Sequence, residues 1–418
     1  MDKSSKIVRD PIHGNIKLKD HIVKLLESPE VQRLANIKQL GFAHLVFPGA
    51  HHTRLEHSLG AYQIASQISK SLNLNEYQKD VVSCAALLHD IGHGPFSHTL
   101  ESLLLEKFGV DHVDLTEELI QGDYGIFESG EKEFIQSQSV HKILSNNDID
   151  REEIINIIRG KTSNMLYLGQ ILNSTIDVDQ LDYLIRDAYY TGVAYGMIDI
   201  ERLLQTLVIH EDTLTIKRKG VGVVENILMA RGLMYSSVYF HKTARIAELM
   251  FSKAIELIPD LEPFEFFRMT DAEIVSSLKK MGVFQHKIVT RLKYRILFKQ
   301  AYSASVHDLD KQALDEIRGL ENAAYRRQKE QELEDAFEIP HGHLIIDVPR
   351  PELLIAEPRL HKTDIFVVDR DEVKTLDEFT PIAEAIRSRV TPDWIVMIIT
   401  DEKYRDVVSK KAEAVLFG

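Results

Sequence analysis

The chain has 418 residues, and its 50 Lys and Arg against 64 Asp and Glu give a formal net charge of −14. This balance argues against a general nucleic-acid or anionic-membrane binder, because both need an excess of positive charge. The single cysteine, Cys84, excludes an intrachain disulfide and a cysteine-rich zinc site. The 18 histidines and the carboxylates are left as the ligands of any metal.

The length predicts two or three domains at roughly 150 residues each. The N-terminus is polar and lacks the apolar stretch of a signal peptide. No apolar run approaches the ~20 residues that cross a bilayer. We therefore expect a cytoplasmic protein without a membrane partner.

Helical periodicity dominates the first 300 residues. Capping boxes at 53–56 and 75–78 predict one helix that begins near Arg54 and another that runs to Ile91. Residues 207–218 alternate between apolar and polar side chains and predict a β-hairpin.

The texture of the sequence changes towards the C-terminus. One long helix is expected over 225–258, and 14 of the 28 residues from 308 to 335 are charged, which is typical of a solvated helix or connector. Strands are expected at 343–348, 363–368 and 394–400, and helices at 372–387 and 403–416. The predicted fold is mainly α: a helical body over 1–300 with a short hairpin insertion, a charged helical connector over 301–340 and a smaller C-terminal α/β lobe over 341–418.

Eight of the 18 histidines fall between His44 and His112. His89 and Asp90 adjoin at the end of an apolar helix, where a buried ionised carboxylate is costly unless it is paired or coordinates a cation. The partial negative charge at a helix C-terminus also favours a cation. Taken singly, each histidine is expected to be a hydrogen-bonded core residue. Together, His57, His89, Asp90 and Asp179 indicate a metal site.

Two further stripes have the spacing of one helix face. Asp179, Tyr183 and Asp187 would suit a wall for metal and substrate. The second stripe is cationic and aromatic and could hold phosphates and a base or sugar, although a solvated or salt-bridged face is the alternative. Its members are Arg231, Tyr235, Tyr239 and Lys242.

The order His57, His89-Asp90 and Asp179 resembles the H…HD…D signature of HD-domain metal-dependent phosphohydrolases. Over residues 6–260 the chain resembles the deoxynucleoside triphosphate (dNTP) triphosphohydrolase branch of that family. The segments that carry this resemblance are Arg9–Gly14, Gln32–Leu34, Ile37–Gly41, Val46–Ala50, Arg54–Gly60 and His89–His98. It implies a mainly helical fold, a homo-oligomer (dimer or tetramer), and cleavage of a dNTP into deoxynucleoside and inorganic triphosphate.

By position, the resemblance makes His57, His89, Asp90 and Asp179 the ligands of a divalent transition metal. Two imidazoles with two carboxylates suit Mn, Fe, Co, Ni or Zn, and the order of affinity does not choose among them. Mg²⁺ could accompany the substrate phosphates. The metal would activate a water molecule and polarise the α-phosphorus.

The resemblance also implies the remaining catalytic roles. His98, oriented by Glu101, would protonate the leaving 5′-oxygen. His93 and His112 would contact the phosphates, and Arg54 would neutralise developing charge.

Residues on the sugar and phosphate side are implied in the same way. Gln39 and Asp187 match positions that bind the 3′-hydroxyl, and Leu40 and Tyr239 match positions that crowd C2′. Tyr183, Arg231 and Lys242 match phosphate- or substrate-facing positions.

The chain departs from the family pattern at several positions. Gln180 stands where a phosphate-binding lysine is expected, and Phe240 replaces a polar residue. Of the positions that hold a nucleotide effector, Lys6 and Gln32 are retained, whereas Arg9, Glu27 and Ala35 differ. Activation by a guanine nucleotide is therefore in doubt, and another nucleotide effector stays open.

Two other functions stay open. One is an HD phosphohydrolase that acts on a nucleoside mono- or diphosphate, a ribonucleotide or a phosphodiester, which Gln180 favours. The other is a non-catalytic nucleotide- or nucleic-acid-binding scaffold, against which the complete set of ligands argues. The acidic total makes nucleic acid an unlikely partner.

Overall fold

The fold is that of a computed structural model, which describes residues 6–97, 103, 105, 109–127, 130–162, 164–258, 263–349, 365–370, 372–387 and 394–417. Helices α1 to α8 of this part are Asp20–Leu26, Pro29–Arg33, Arg54–Ser71, Glu76–Leu88, His112–Gln121, Val140–Asn146, Arg151–Arg159 and Leu166–Leu172. Helices α9 to α14 are Val178–Thr191, Ile200–Thr206, Val221–Met234, Lys242–Glu256, Pro263–Arg268 and Asp271–Met281. Helices α15 to α19 are Val283–Lys293, Lys311–Leu320, Ala323–Ala336, Ile382–Arg387 and Arg405–Phe417.

The strands of the described residues form three small sheets. Strands β1 to β9 are Lys6–Asp10, Gly14–Leu18, Leu207–His210, Thr213–Lys217, Lys299–Ala304, Leu344–Asp347, Phe366–Asp369, Glu372–Thr375 and Val396–Thr400. Strands β1 and β2 form an antiparallel hairpin, and the other sheets have the orders β3-β4-β7-β8 and β5-β9-β6. The described protein is thus mainly helical with small sheets, as the sequence predicted.

Helices α3, α4 and α9 pack together in the main core. Both predicted capping boxes are present: Thr53 with Glu56 opens α3, and Asn75 with Gln78 opens α4. Apolar side chains on the facing sides of the three helices are fully buried, including Ile64, Leu88 and Leu184. The burial and close packing of these apolar side chains fix the three helices relative to one another.

Two helix predictions for the body over 1–300 need correction. Helix α4 ends at Leu88, with His89 as its C-cap, and does not run to Ile91. The long helix expected over 225–258 is interrupted, because α11 ends at Met234 and a π-helical turn follows at Tyr235–Tyr239 before α12 begins.

The C-terminal segment returns to the helical body. The predicted hairpin forms as β3-β4, and β7 pairs with β4 in parallel at Ile216 and Lys217. Residues 372–375 form β8, so the helix expected over 372–387 is shortened to Ile382–Arg387. The charged segment forms α16 and α17, and α17 buries Glu330 and Glu334 rather than leaving them solvated.

The division into body, connector and lobe stays a prediction, and the expected boundary at 300–301 falls inside β5. No helix among the described residues is long and apolar enough to cross a membrane.

Candidate metal centre

The four predicted metal ligands come together from three helices. His57 lies in the first turn of α3, His89 and Asp90 follow the end of α4, and Asp179 lies in the first turn of α9. His57 Nε2 is 3.1 Å from Asp179 Oδ1 and 3.9 Å from Asp90 Oδ2. His89 Nε2 is 3.3 Å from Asp90 Oδ1 and 3.8 Å from Asp179 Oδ1.

The donor set of this cluster fits a divalent transition metal. The ligand atoms of His57, His89 and Asp90 lie within 4.8 Å of one another. Nε2 of both histidines is buried and makes no hydrogen bond of acceptable geometry within the described part of the chain. Buried imidazole nitrogens without such bonds are rare unless something else satisfies them. Two imidazoles with two carboxylates are the kind of ligand set that such a cation takes.

The charges around the cluster also favour a cation. Burial opposes protonation of His57, but its contacts with the carboxylates of Asp179 and Asp182 outweigh burial and raise the pKa of the imidazole to about 10. Burial likewise opposes ionisation of Asp90, yet the charges of His89 and Arg54 hold its pKa well below the usual range. The carboxylates thus stay negative at neutral pH and attract positive charge.

Arg54, His93 and His112 lie beside the four predicted metal ligands. The Arg54 guanidinium donates to Asp90 Oδ2 at 2.6 Å and to Ser97 Oγ at 2.6 and 2.9 Å. The rings of His93 and His112 stack with their centroids 3.9 Å apart. Burial and the positive charge of Arg54 lower the pKa of His93 well below its usual value, so that ring is neutral at pH 7.

Two buried polar side chains hold the turn that follows α4. The Arg33 guanidinium donates to the backbone oxygens of Ile91 at 2.9 Å and His93 at 2.6 Å. Asp271, at the start of α14, accepts from the backbone nitrogens of Lys38 at 3.0 Å and Phe96 at 2.9 Å. The turn is therefore fixed by elements distant in sequence.

Asp187, two turns after Asp179 on α9, forms a second polar wall with His52 and Tyr239. Asp187 accepts hydrogen bonds from His52 at 2.7 Å and from the Tyr239 hydroxyl at 2.8 Å. Burial and the charge of Asp187 raise the pKa of Tyr239 well above its usual value, so the phenol stays a donor. The Tyr183 ring meets that of Tyr239 edge-on at 5.9 Å. The structure thus brings together three of the residues expected on the substrate side.

The expected sugar-side residues Gln39 and Leu40 lie in the loop before α3. Gln39 donates its backbone N–H to the His52 carbonyl at 3.0 Å. Its Oε1 is buried and has no hydrogen-bond partner among the described residues. Leu40 is half-buried and packs on the main core.

The side chain of Gln180 is buried. Its Oε1 accepts from Arg231 at 2.6 Å, and its Nε2 donates to the carbonyl of Ser174 and to Asp177. Both Gln180 and Arg231 are almost completely buried. The amide therefore orients Arg231, and its own polar atoms are occupied.

The remaining expected residues lie elsewhere. Lys242 donates to Gln300 of β5 at 2.7 Å and is exposed. The expected effector residues are on the surface, where Lys6 pairs with Glu27 and Gln32 donates to the Leu26 carbonyl at 2.7 Å. His98 and Glu101, the expected acid and its partner, lie outside the described residues.

Comparison with known proteins decides the family. Residues 54–187 match the model of the HD domain, and residues 198–417 match that of the HD-associated region, which alone spans more than half of the chain. The chain belongs to the HD-domain family. The enzyme class expected from the sequence, an HD-superfamily metal-dependent phosphohydrolase, is thereby confirmed.

The chain is similar to several other proteins. An uncharacterized protein of Methanocaldococcus jannaschii is 33% identical over 404 residues, covering 94% of this chain and 78% of that protein. The deoxynucleoside triphosphate triphosphohydrolase SAMHD1 homolog of Dictyostelium discoideum is 29% identical over 325 residues, covering 71% of this chain and 60% of that protein. The chain thus spans less than two thirds of this triphosphohydrolase.

Two crystal structures have the same fold. A hypothetical protein from Aquifex aeolicus has a TM-score of 0.75 at 30% identity and covers 99% of this chain and 100% of its own. A phosphohydrolase from Bacteroides thetaiotaomicron has a TM-score of 0.72 at 24% identity and covers 95% and 100% respectively.

Sequence reasoning missed several side chains around the HD site. His13 reads as structural or surface, and His52 reads as a loop residue, yet each contacts a carboxylate of α9. Asp182 is not part of the stripe predicted on α9, although its Oδ2 is 2.8 Å from His57 Nδ1. Of these residues, His13 lies inside Arg9–Gly14, one of the segments that carry the family resemblance, whereas His52 and Asp182 lie outside those segments.

Proposed function

We propose that this HD phosphohydrolase cleaves deoxynucleoside triphosphates into a deoxynucleoside and inorganic triphosphate. The observation that carries the proposal is the convergence of buried His57, His89 and Asp90 with half-buried Asp179 in one cluster, with Asp187 two turns further along the same helix. The dNTP triphosphohydrolase names of relatives at 29–30% identity support the choice of substrate.

We assign metal ligation to the four residues of the cluster, and a divalent transition metal bound there would supply Lewis-acid chemistry at the phosphate. Arg54 brings a fixed positive charge beside Asp90, where it would offset the charge that develops on the phosphate. The neutral ring of His93, stacked on His112, would contact phosphate oxygens through N–H donation.

The proposed hydrolysis also requires a proton donor for the leaving group. A water molecule gives up one proton to solvent, and its oxygen bonds to the α-phosphorus as the bond from phosphorus to the 5′-oxygen breaks. The electron pair leaves with the 5′-oxygen, which takes up a proton because an alkoxide leaves poorly. We assign that proton to His98, oriented by Glu101, on the basis of the family resemblance.

The second wall supports a deoxyribose. The Asp187 carboxylate, held by His52 and Tyr239, is oriented to accept a hydrogen bond from a 3′-hydroxyl. Tyr239 and Leu40 would leave no room for a 2′-hydroxyl. Mg²⁺ with the substrate phosphates and assembly as a homo-oligomer remain parts of the proposal, as does the cytoplasmic location.

A product assay with every dNTP and NTP, with and without GTP or dGTP, tests the proposal. We expect inorganic triphosphate and deoxynucleoside from dNTPs, much slower turnover of NTPs, and none from Asp90→Ala. Absence of inorganic triphosphate with every dNTP would contradict the proposal. Dependence on GTP or dGTP would show whether a guanine nucleotide is an activator.

Gln180 favours a second candidate, an HD phosphohydrolase for another nucleotide or a phosphodiester. A lysine at this position would add a positive charge, whereas the amide is neutral and already bonded to Arg231. Release of orthophosphate or a nucleoside monophosphate in the same assay would favour this candidate.

A further inference from the structure

We propose that Asp182 is a positioning residue that fixes the His57 imidazole for metal binding, and that His13 in the N-terminal hairpin holds Asp182 in place. The inference rests on the metal-dependent activity proposed above. It assigns roles to residues that lie one and two contacts away from the metal cluster.

The first step is the contact between Asp182 and His57. Asp182 Oδ2 is 2.8 Å from His57 Nδ1, and both side chains are almost completely buried. An ionised carboxylate only accepts hydrogen bonds, so Nδ1 carries a hydrogen whether the ring is charged or neutral, and Nε2 is the nitrogen that can give up its proton to a metal. That atom faces Asp90 and Asp179, where a metal ligand must present its lone pair.

The second step is that Asp182 has no freedom of its own. Arg186 donates to Oδ2 at 2.8 Å and to Oδ1 at 3.0 Å. Nε2 of His13 is 2.7 Å from Oδ1. Together with His57, these groups supply four hydrogen bonds to two carboxylate oxygens, which fixes both the position and the plane of the carboxylate.

The third step connects the N-terminal hairpin to this network. Arg186 uses its remaining nitrogen to donate to Asp10 Oδ2 at 2.9 Å. The other oxygen of Asp10 accepts from the backbone nitrogens of Ile12 at 2.9 Å and His13 at 2.7 Å. Asp10 therefore shapes the turn between β1 and β2 that presents His13, so the hairpin, α3 and α9 share one buried polar network.

Gly60 gives independent support for the assignment. It lies one turn after His57 on α3, and a Cβ atom at this position would be 1.8 Å from Asp182 Oδ1 and 2.5 Å from the Arg186 guanidinium. Glycine costs stability inside a helix. Its presence here leaves the space that the carboxylate needs to reach His57.

The test compares full-length variants by their dissociation constant for Mn²⁺, measured from the EPR signal of the free ion. Loss of a group that orients a ligand typically weakens metal binding by roughly 10–100-fold. We expect a loss of that size for Asp182→Asn and a smaller one for His13→Ala. His13→Gln should restore most of the affinity, because its amide can donate to the same oxygen.

His21→Ala is the matched control. The His21 side chain is 15% exposed against 10% for His13, and its Nε2 faces a different carboxylate, Asp80, at 3.6 Å. We expect this variant to bind Mn²⁺ like the wild type. Thermal unfolding in EDTA is recorded for each protein, because a merely structural network would lower the unfolding temperature and leave the affinity unchanged.

Wild-type affinity in both Asp182→Asn and His13→Ala would overturn the inference, as would a wild-type protein that does not bind Mn²⁺. If Asp182→Asn does not fold, the comparison of His13→Ala with His13→Gln decides alone. A wild-type protein that binds Mn²⁺ but releases no inorganic triphosphate would contradict the proposed substrate and reaction, whereas the ranking of affinities would still test the positioning role.

Discussion

His57 and His89 both direct Nε2 towards the carboxylates of the cluster, but different contacts at Nδ1 orient the two rings. His89 Nδ1 is 2.9 Å from the carbonyl of Ala86, three residues earlier on its own helix. His57 Nδ1 is 2.8 Å from Asp182, which belongs to another helix. The orientation of His89 is thus a local property of α4, whereas that of His57 depends on tertiary structure.

Two histidine substitutions separate metal binding from proton transfer. His89→Ala removes a proposed ligand and should lose both bound metal and turnover. His98→Ala removes only the proposed proton donor, and general acid catalysis contributes typically ~10²–10⁴-fold in rate. We expect that variant to retain its metal content, measured by elemental analysis, while its turnover falls by a factor in that range. Equal metal loss in both variants would show that His98 is assigned wrongly.

The chemistry of individual residues could be predicted because motif order carries it. The family resemblance implied His57, His89, Asp90 and Asp179 as the ligands, and the structure places them in one cluster. Contacts such as that between His13 and Asp182, 169 residues apart, have no local signal. A single sequence does not show which of 18 histidines meets a distant carboxylate.

At the scale of elements, the first residues of helices were predicted more accurately than the last residues. Capping boxes are local, so the beginnings of α3 and α4 follow directly from the sequence. The break at Tyr235–Tyr239 depends on packing, because the π-helical turn lies where Tyr239 bonds to Asp187. Such turns are frequent at functional sites and leave no clear mark in periodicity.

Gly92 links α4 to α5 and provides a test at this scale. A Cβ atom here would lie 2.1 Å from the His112 carbonyl oxygen and 2.5 Å from the Thr116 backbone nitrogen. Gly92→Ala must push α5 away, and overpacking typically costs about 1–3 kcal/mol. We expect a lower unfolding temperature and, because His112 moves with α5, lower turnover.

Gly222 is the control for this substitution, since no atom lies within 4 Å of a Cβ placed there and it belongs to α11. Gly222→Ala should keep or slightly raise the unfolding temperature, because alanine favours a helix. If both variants unfold like the wild type, the close approach of Gly92 to α5 does not constrain the fold.

At the scale of the whole molecule, buried charges join the C-terminal segment to α12. Lys253 contacts Glu330 of α17 at 2.6 Å, and Arg245 contacts Asp347 of β6 at 2.8 Å. The charged run over 308–335 predicted a solvated helix or connector, but Glu330 of that run lies in this seam. Composition could not show this, because it does not distinguish paired from solvated charges.

Glu248 makes the seam sensitive to pH. Burial, against the opposing charge of Arg245 3.6 Å away, raises the pKa of this carboxyl to about 7. Its ordinary value is lower, so the folded protein holds the proton more tightly than the unfolded chain. The stability that this contributes is present at low pH and is lost as the pH rises from about 4.5 through 7.

Glu248→Gln should remove this dependence, since the amide does not ionise. The wild type should lose up to about 3 kcal/mol relative to the variant between pH 4.5 and pH 8, because one pKa unit corresponds to ~1.4 kcal/mol. Thermal unfolding of both proteins across this range measures the difference, with Glu201→Gln at an exposed position of α10 as the control. Parallel profiles for the wild type and Glu248→Gln would mean that the carboxyl is solvated in the folded protein and that the seam tolerates its charge.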